Sequence, residues 1–151
     1  HVPKKAAVAK ASPLMERYGL HGFEHMRPGQ LSGGMRQRAA LLRTWLTERE
    51  VLLLDEPFGA LDALTRLQLQ MGLTQMWQEH GKTILLVTHD VDEALLLSDE
   101  ILVLSRRPGT LRTRLTVSLP RPRTPEVLAS AEVLGMKRTL MDLLLHEEGT
   151  V

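Results

Sequence analysis

Three short runs in this chain carry residue types that could handle phosphate. Gly81, Lys82 and Thr83 spell the end of a phosphate-binding loop. Such a loop, G-x-x-x-x-G-K-[ST], needs an earlier glycine five residues before its second, so that backbone N–H groups can curl around the anion; that position is Met76. The loop must also leave a strand and open a helix, whose positive end faces the phosphate. Here the order is reversed. Leu69, Leu73, Met76 and Trp77 recur at helical spacing and Ile84 to Val87 is a short apolar run, so a helix ends at Gly81 and a strand follows. The triplet reads as a glycine helix stop.

The second run, "QLSGGMRQR" from Gln30 to Arg38, sets Ser32, Gly33 and Gly34 at the start of a helix. Backbone N–H groups unobstructed by side chains, reinforced by the helix dipole, make a seat for a phosphate oxygen. The same letters also make an ordinary cap and turn. The third run, "VLLLDEP", ends an apolar strand in adjacent carboxylates, Asp55 and Glu56, whose side chains point to opposite sides of an extended chain. One can face a metal while the other faces a reacting water, although loops often begin at such pairs.

Alternating helices and strands must position these groups. Lys4 to Tyr18 suits a helix that Pro13 interrupts, with Ser12 as a cap and Pro13 opening a second segment, and Gly19 and Gly22 mark a loop. A helix from about Ser32 carries Met35, Ala39, Leu42 and Leu46 as its apolar stripe. Val51 to Leu54 reads as a strand buried on both faces. A long helix from Ala63 to His80 precedes the strand Thr83 to Val87, and Asp90 with Glu93 reads as a capping box. Ile101 to Leu104 and the alternating run Leu111 to Val117 pair as a hairpin around Arg107, Pro108 and Gly109. "LPRPRTP", Leu119 to Pro125, is a stiff linker with solvated arginines, and a last helix from about Pro125 to His146 turns Val127, Ala131, Leu134, Met141 and Leu145 to one face. The order implies an α/β layer fold with a mainly parallel sheet, in which ligands sit beyond the carboxyl ends of the strands. That rule selects Asp55 and Glu56 after one strand and Thr88, His89 and Asp90 after the next.

The bulk numbers set the bounds. A chain of 151 residues, 43% hydrophobic and 25% charged, fits one globular domain with a real core. A net charge of +1, and arginines with no interleaved aromatic residues, give no reason to invoke nucleic acid. With no cysteine there is no disulfide and no thiolate metal site. No apolar run approaches the length of about 20 residues a bilayer span needs, so a membrane role would come through a partner. The seven methionines are expected as core filling, and His1, His21, His25, His80 and His146 as surface residues. A first residue other than methionine suggests a processed or truncated beginning.

Taken in order, the motifs resemble the ATP-binding subunits of ABC transporters. "LSGGM" is similar to the ABC signature, "VLLLDE" to the Walker B strand, "GALD" to the D-loop and "THD" to the switch-histidine motif, over about Leu20 to Leu104. "DEPFGALDALTR" and "THDVDEALLLSDEILVLSRRPG" resemble the nitrate, sulfonate and taurine importer branch. The resemblance implies a partial P-loop NTPase core with a helical signature subdomain and a C-terminal β-hairpin and helix. It divides the chain into 1–50 with the signature, 51–118 with Walker B, D-loop and switch histidine, and 119–151 as linker and last helix. It also implies ATP and Mg²⁺ as cofactors, with Asp55 holding Mg²⁺ through water, Glu56 activating the attacking water, and His89 bonding the γ-phosphate. Ser32, Gly33, Gly34, Gln37 and Asp62 would bind nucleotide across a head-to-tail dimer of two such subunits. A transmembrane permease, and indirectly a solute-binding protein, would be the further partners, at the cytoplasmic face of the cell membrane.

The family's phosphate loop, aromatic stacking residue and Gln loop have no counterpart in this chain, which therefore reads as a carboxyl-terminal part expected neither to bind ATP tightly nor to hydrolyse it alone. Loss of amino-terminal strands would expose apolar faces around Val51 to Leu54. Two departures stand out: Glu100, where the family tends to carry a basic residue, and Pro13, where it tends to have uninterrupted helix. Two other readings compete. One is the half-head of a chromosome-maintenance ATPase, disfavoured by the missing heptads before Gln30. The other is a non-catalytic module that lends a signature face to a partner ATPase.

Overall fold

A computed structural model describes residues 3–47, 49–59 and 61–145 of the chain. Two compact units, His1–Val87 and Thr88–Val151, each have more contacts within than between them, a division by packing that falls inside the 51–118 core of the motif-based partition.

In the first unit, α1 (Lys4–Arg17), a 3₁₀ turn (Pro28–Gln30), α2 (Gly33–Trp45), β1 (Val51–Asp55), α3 (Ala63–His80) and β2 (Thr83–Val87) follow in order. The expected break at Pro13 does not occur: α1 runs through it. Proline lacks the N–H that would bond the carbonyl four residues back. Ser12 does not cap a second segment but donates from its hydroxyl to Val8 O at 3.0 Å. The helix packs on α2, and Arg17 at its end makes a fork to both carboxylate oxygens of Glu79, at 3.0 and 3.2 Å.

Local capping chemistry sets the other helix ends. Ser32 accepts from Met35 N–H at 3.2 Å to start α2, and Asp62 from Thr65 N–H at 3.0 Å to start α3. Gly81 ends α3 in the left-handed region at φ 61°, its N–H donating to Trp77 O at 2.7 Å. The apolar stripe of α2 is turned from the expected one: Leu42 is buried as expected, but Leu41 and Trp45 bury beside it while Met35, Ala39 and Leu46 stay half-buried.

β1 and β2 pair in parallel, Val51 opposite Thr83 and Asp55 opposite Val87, with α3 as the crossover. Burial of β1 on both faces is not observed. Leu52 and Leu54 are buried, whereas Leu53 is 70% exposed and Val51, Leu85 and Val87 are each more than half exposed. One face of the pair is packed and the other open among the described residues.

In the second unit, α4 (Val91–Leu97), β3 (Glu100–Leu104), β4 (Leu111–Thr116), a 3₁₀ turn (Pro125–Ala129) and α5 (Ala131–Leu145) enclose a core of Leu95, Val103, Val117, Leu119, Val133 and Leu140. β3 and β4 form the expected antiparallel hairpin. Glu100 has a local reason within it: its carboxylate pairs diagonally across the strands with Arg114 at 3.3 Å, where a basic residue would meet like charge.

Two expectations fail here. The last helix is split at Ser130, and its buried face carries Val133, Met136, Leu140 and Leu143, while Leu134, Met141 and Leu145 are exposed. The arginines of the linker are not solvated. Arg123 is 2% exposed, and its guanidinium donates to four carbonyls: Leu95 O at 3.1, Ser98 O at 2.5, Val117 O at 2.9 and Leu119 O at 3.2 Å. Arg121 donates to Asp99 Oδ1 at 2.8 Å and to Leu97 O at 2.6 Å. Carbonyls left open at the end of α4 and after β4 draw both side chains inward.

Met76 is fully buried as core filling, but Met26 and Met141 are exposed. His21, His25 and His80 lie at the surface, and His80 also meets the ring of Trp45 edge-on at 5.5 Å between centroids. His1 and His146 lie outside the described residues.

Candidate functional site

Asp55 and Glu56 stand at the carboxyl end of β1, where the parallel pair runs out and ligands of α/β sheets bind. Both are exposed. The backbone at Glu56 adopts φ 42°, the one positive value at a non-glycine among the described residues. That conformation costs a residue with a Cβ about 1–2 kcal/mol, and hydrogen bonds hold it. Glu56 N–H donates to Val87 O at 2.9 Å, tying the turn to the end of β2, and Glu56 O accepts from Gln37 Nε2 at 2.9 Å and from Gly59 N–H at 3.3 Å. The left-handed residue turns the chain sharply out of the strand, so that Asp55 and Glu56 do not simply continue its alternation.

Ser32, Gly33 and Gly34 form the N-terminus of α2, with its unpaired N–H groups and positive dipole end. Ser32 and Gly33 are exposed. The two glycines differ. A Cβ at Gly33 would come no nearer than 3.9 Å to the end of the Arg36 side chain, whereas at Gly34 it would sit 3.1 Å from Cδ2 of Leu61, so a side chain there would press on the loop before α3 and Leu61 would have to give by a few tenths of an ångström. Asp62, at the end of that loop, is exposed and caps α3; its hydrogen bonds to Thr65 hold its carboxyl below the usual carboxylate range.

The first unit thus brings together the signature helix, the strand-end carboxylates and the loop before α3, through Gln37 on Glu56 and Gly34 against Leu61. His89 belongs to the second unit. It is exposed and directly precedes Asp90, whose side chain accepts from the N–H groups of Asp92 and Glu93 at 3.0 and 3.1 Å to start α4. Asp90 N–H donates to Thr88 Oγ1 at 3.0 Å, so the Thr-His-Asp run is a turn closed by its own side chains.

Gly81, Lys82 and Thr83 take no part. They line a groove of about 730 Å³ with Trp45, His80 and Arg49, at the amino end of the strands and away from Asp55. Lys82 donates to Arg49 O at 3.0 Å and lies 5.0 Å from the Trp45 ring centroid. Its ammonium is used in bracing the helix-to-strand turn.

Among the described residues no three His, Asp or Glu side chains gather as a metal cluster. A single exposed carboxylate still suits Mg²⁺, which keeps most of its waters and takes one or two carboxylates together with substrate phosphates. Asp55 fits that donor set. Sequence reasoning grouped Gln37 with the nucleotide contacts and missed its bond to Glu56; a glutamine one turn into a helix aimed at a strand end was the available signal.

The ABC transporter family model matches residues 3–59. The chain is 43% identical over 146 residues to an uncharacterised ABC transporter ATP-binding protein of Methanocaldococcus jannaschii, covering 97% of this chain and 54% of that one. It is 54% identical over 112 residues to an aliphatic sulfonates import ATP-binding protein of Pseudomonas syringae, covering 74% and 48%. Among solved structures it is similar to a dimeric bacterial ABC transporter cassette, with TM-score 0.70 and 28% identity over 80% of this chain and 51% of that one. A dimeric post-hydrolysis cassette bound to ADP and Pi matches at TM-score 0.70 and 27% identity, over the same shares. The chain spans about half the length of the relatives it matches.

Proposed function

The chain belongs to the ABC transporter ATPase family, and on that premise we propose that it is the signature and Walker B portion of the ATP-hydrolysing subunit of an importer for small anions of the nitrate, sulfonate and taurine kind. The observation that carries the reading is Glu56, presented at the carboxyl end of a parallel strand on a backbone fixed by Val87, Gln37 and Gly59. The importer branch rests on the likeness to the sulfonate import protein.

In this mechanism Glu56 accepts the proton of the water that attacks the γ-phosphorus, a term worth about 10²–10⁴ in rate. His89 donates a hydrogen bond to the γ-phosphate oxygens as charge shifts in the transition state. Asp55 would hold Mg²⁺ through water, and the ion would supply neutralising charge at the phosphates. Ser32 Oγ–H and the N–H groups at the start of α2 reach the nucleotide held by the opposite subunit, so ATP joins two copies head to tail. Asp62 lies at that boundary. A permease in the membrane, fed by a solute-binding protein, would take up the work of closure. No helix among the described residues is long and apolar enough to cross a membrane; as the ATPase partner of a permease, the subunit would sit peripherally on the cytoplasmic face.

The test is Glu56→Gln in the full-length protein carrying this chain. An ATP-dependent dimer should accumulate while phosphate release falls at least a hundredfold, and unchanged turnover removes Glu56 from the base role. The chain by itself, without a phosphate loop, should show no micromolar Mg-ATP binding by calorimetry.

A further inference from the structure

We propose that Gln37 is a positioning residue for hydrolysis, holding the Glu56 peptide in its left-handed turn from the signature helix, rather than a nucleotide contact. The inference rests on the reading of Glu56 as general base. Gln37 sits one turn into α2, half-buried, and its amide N–H is 2.9 Å from Glu56 O. The Glu56 peptide is also held by its own N–H on Val87 and by the longer 3.3 Å bond from Gly59. A residue with a Cβ does not rest at φ 42° by preference. Without the Gln37 donor, the turn relaxes toward the ordinary helical or extended regions and swings the carboxylate away from the water it must meet.

The bond also has a consequence for the dimer. The N-terminus of α2 would serve the nucleotide on the partner, and Glu56 the nucleotide on its own subunit. Gln37 bridges them through a hydrogen bond: five residues beyond the capping Ser32, it donates to the base's own peptide. A shift of α2 on engaging the partner's nucleotide is thereby felt at Glu56.

The experiment compares Gln37→Glu, the same shape with the donor removed, with Gln37→His, whose ring N–H reaches a similar distance. Amide hydrogen exchange on the chain reads the turn directly, and steady-state hydrolysis by the full-length protein reads the chemistry. Gln37→Glu should speed exchange at the Glu56 and Gly59 amides and lower kcat about ten- to a hundredfold with KM for ATP little changed, and Gln37→His should restore most of both. A raised KM with kcat intact would make Gln37 a binding residue and overturn the proposal. So would unchanged exchange at Glu56, or loosened exchange with unaltered kcat. The Glu56→Gln protein run in parallel separates the two ideas: turnover retained there defeats the general-base reading itself, whatever Gln37 does.

Discussion

Replacing Arg123 by Met should loosen the second unit more than any other single change outside its apolar core. The side chain is 2% exposed and gives its two terminal nitrogens to four carbonyls, with Asp99 3.6 Å away as the nearest counter-charge. Two of those carbonyls, on Leu95 and Ser98, belong to the end of α4, and two, on Val117 and Leu119, to the chain leaving β4. The one cation thus fastens the helix that follows His89 to the hairpin. Burial pulls its pKa below the usual guanidinium value, with nearby Arg121 adding to the fall, but a guanidinium is not deprotonated in proteins. Methionine fills much of the same volume and leaves the carbonyls without donors. Charged hydrogen bonds contribute about 1.5–3 kcal/mol each and do not add, since water can reach some of the acceptors and the cost of burying the cation is recovered. The expected loss is about 2–4 kcal/mol, since carbonyls left buried without donors cost about 1–3 kcal/mol each and water recovers part of it. Arg123→Lys keeps the charge but not the fork and should fall between. Urea titration with hydrogen exchange at the amides of residues 91–98 and 117 separates local from global loss. A Met variant within about 1 kcal/mol of the parent, with protection in α4 intact, would refute the idea that this cation holds the unit together.

Tyr18 should make the fold alkali-sensitive: it is buried, its hydroxyl lies 2.9 Å from Met76 Sδ, and desolvation pushes its pKa up to about 12. The unfolded chain ionises near 10 and the folded one does not, so stability is full below pH 10 and falls by roughly 3 kcal/mol as pH climbs through 12; Tyr18→Phe should flatten that slope in denaturation midpoints. Gly33→Ala should leave the melting temperature of the chain near its parent value yet cripple ATP-driven dimerisation of the full-length protein, whereas Gly34→Ala should also disturb packing at Leu61, visible as a shifted Leu61 methyl resonance. Pro13→Ala should raise helix content and stability by circular dichroism, by up to about 3 kcal/mol, because the substitution supplies the missing N–H inside an exposed helix.

What could be read from the sequence was what neighbours in the chain decide. The caps at Ser32 and Asp90, and the stop at Gly81, depend on side chains within three or four residues, and the letters alone placed them. The same holds for the hairpin. Arg123 was misread because its acceptors come from residues four to twenty-eight positions away, brought to it only by folding. The inner face of α5 was misread for another reason. Leu134, Met141 and Leu145 are as apolar as Val133, Leu140 and Leu143, so periodicity offered two faces and packing against Leu95 and Val103 chose between them. In α1, local preference spoke for a break and tertiary support overruled it. For the candidate site, the carboxylates and glycines were legible by type and order, but the left-handed turn at Glu56 and its bond from Gln37 were not, since neither leaves a mark in composition or period.

Several site residues already have structural duties, and chemistry decides whether a second role is open to them. A hydroxyl can accept and donate at once, so Ser32 can cap α2 through its lone pair and still offer its proton to a phosphate oxygen. Capping even helps, because it fixes the hydroxyl at the positive end of the helix dipole. Asp62 is in the opposite position. Its hydrogen bonds to Thr65 lower its pKa and keep it an anion, and an ionised carboxylate has nothing to donate and repels the charge of ATP. The task we propose for it is to accept N–H or hydroxyl donors from a facing subunit, while the phosphates would be met by the donors of α2. On the reading proposed above, Ser32 would give its proton to the nucleotide, while Asp62, an acceptor only like Asp55 and Glu56, would meet donors of the facing subunit.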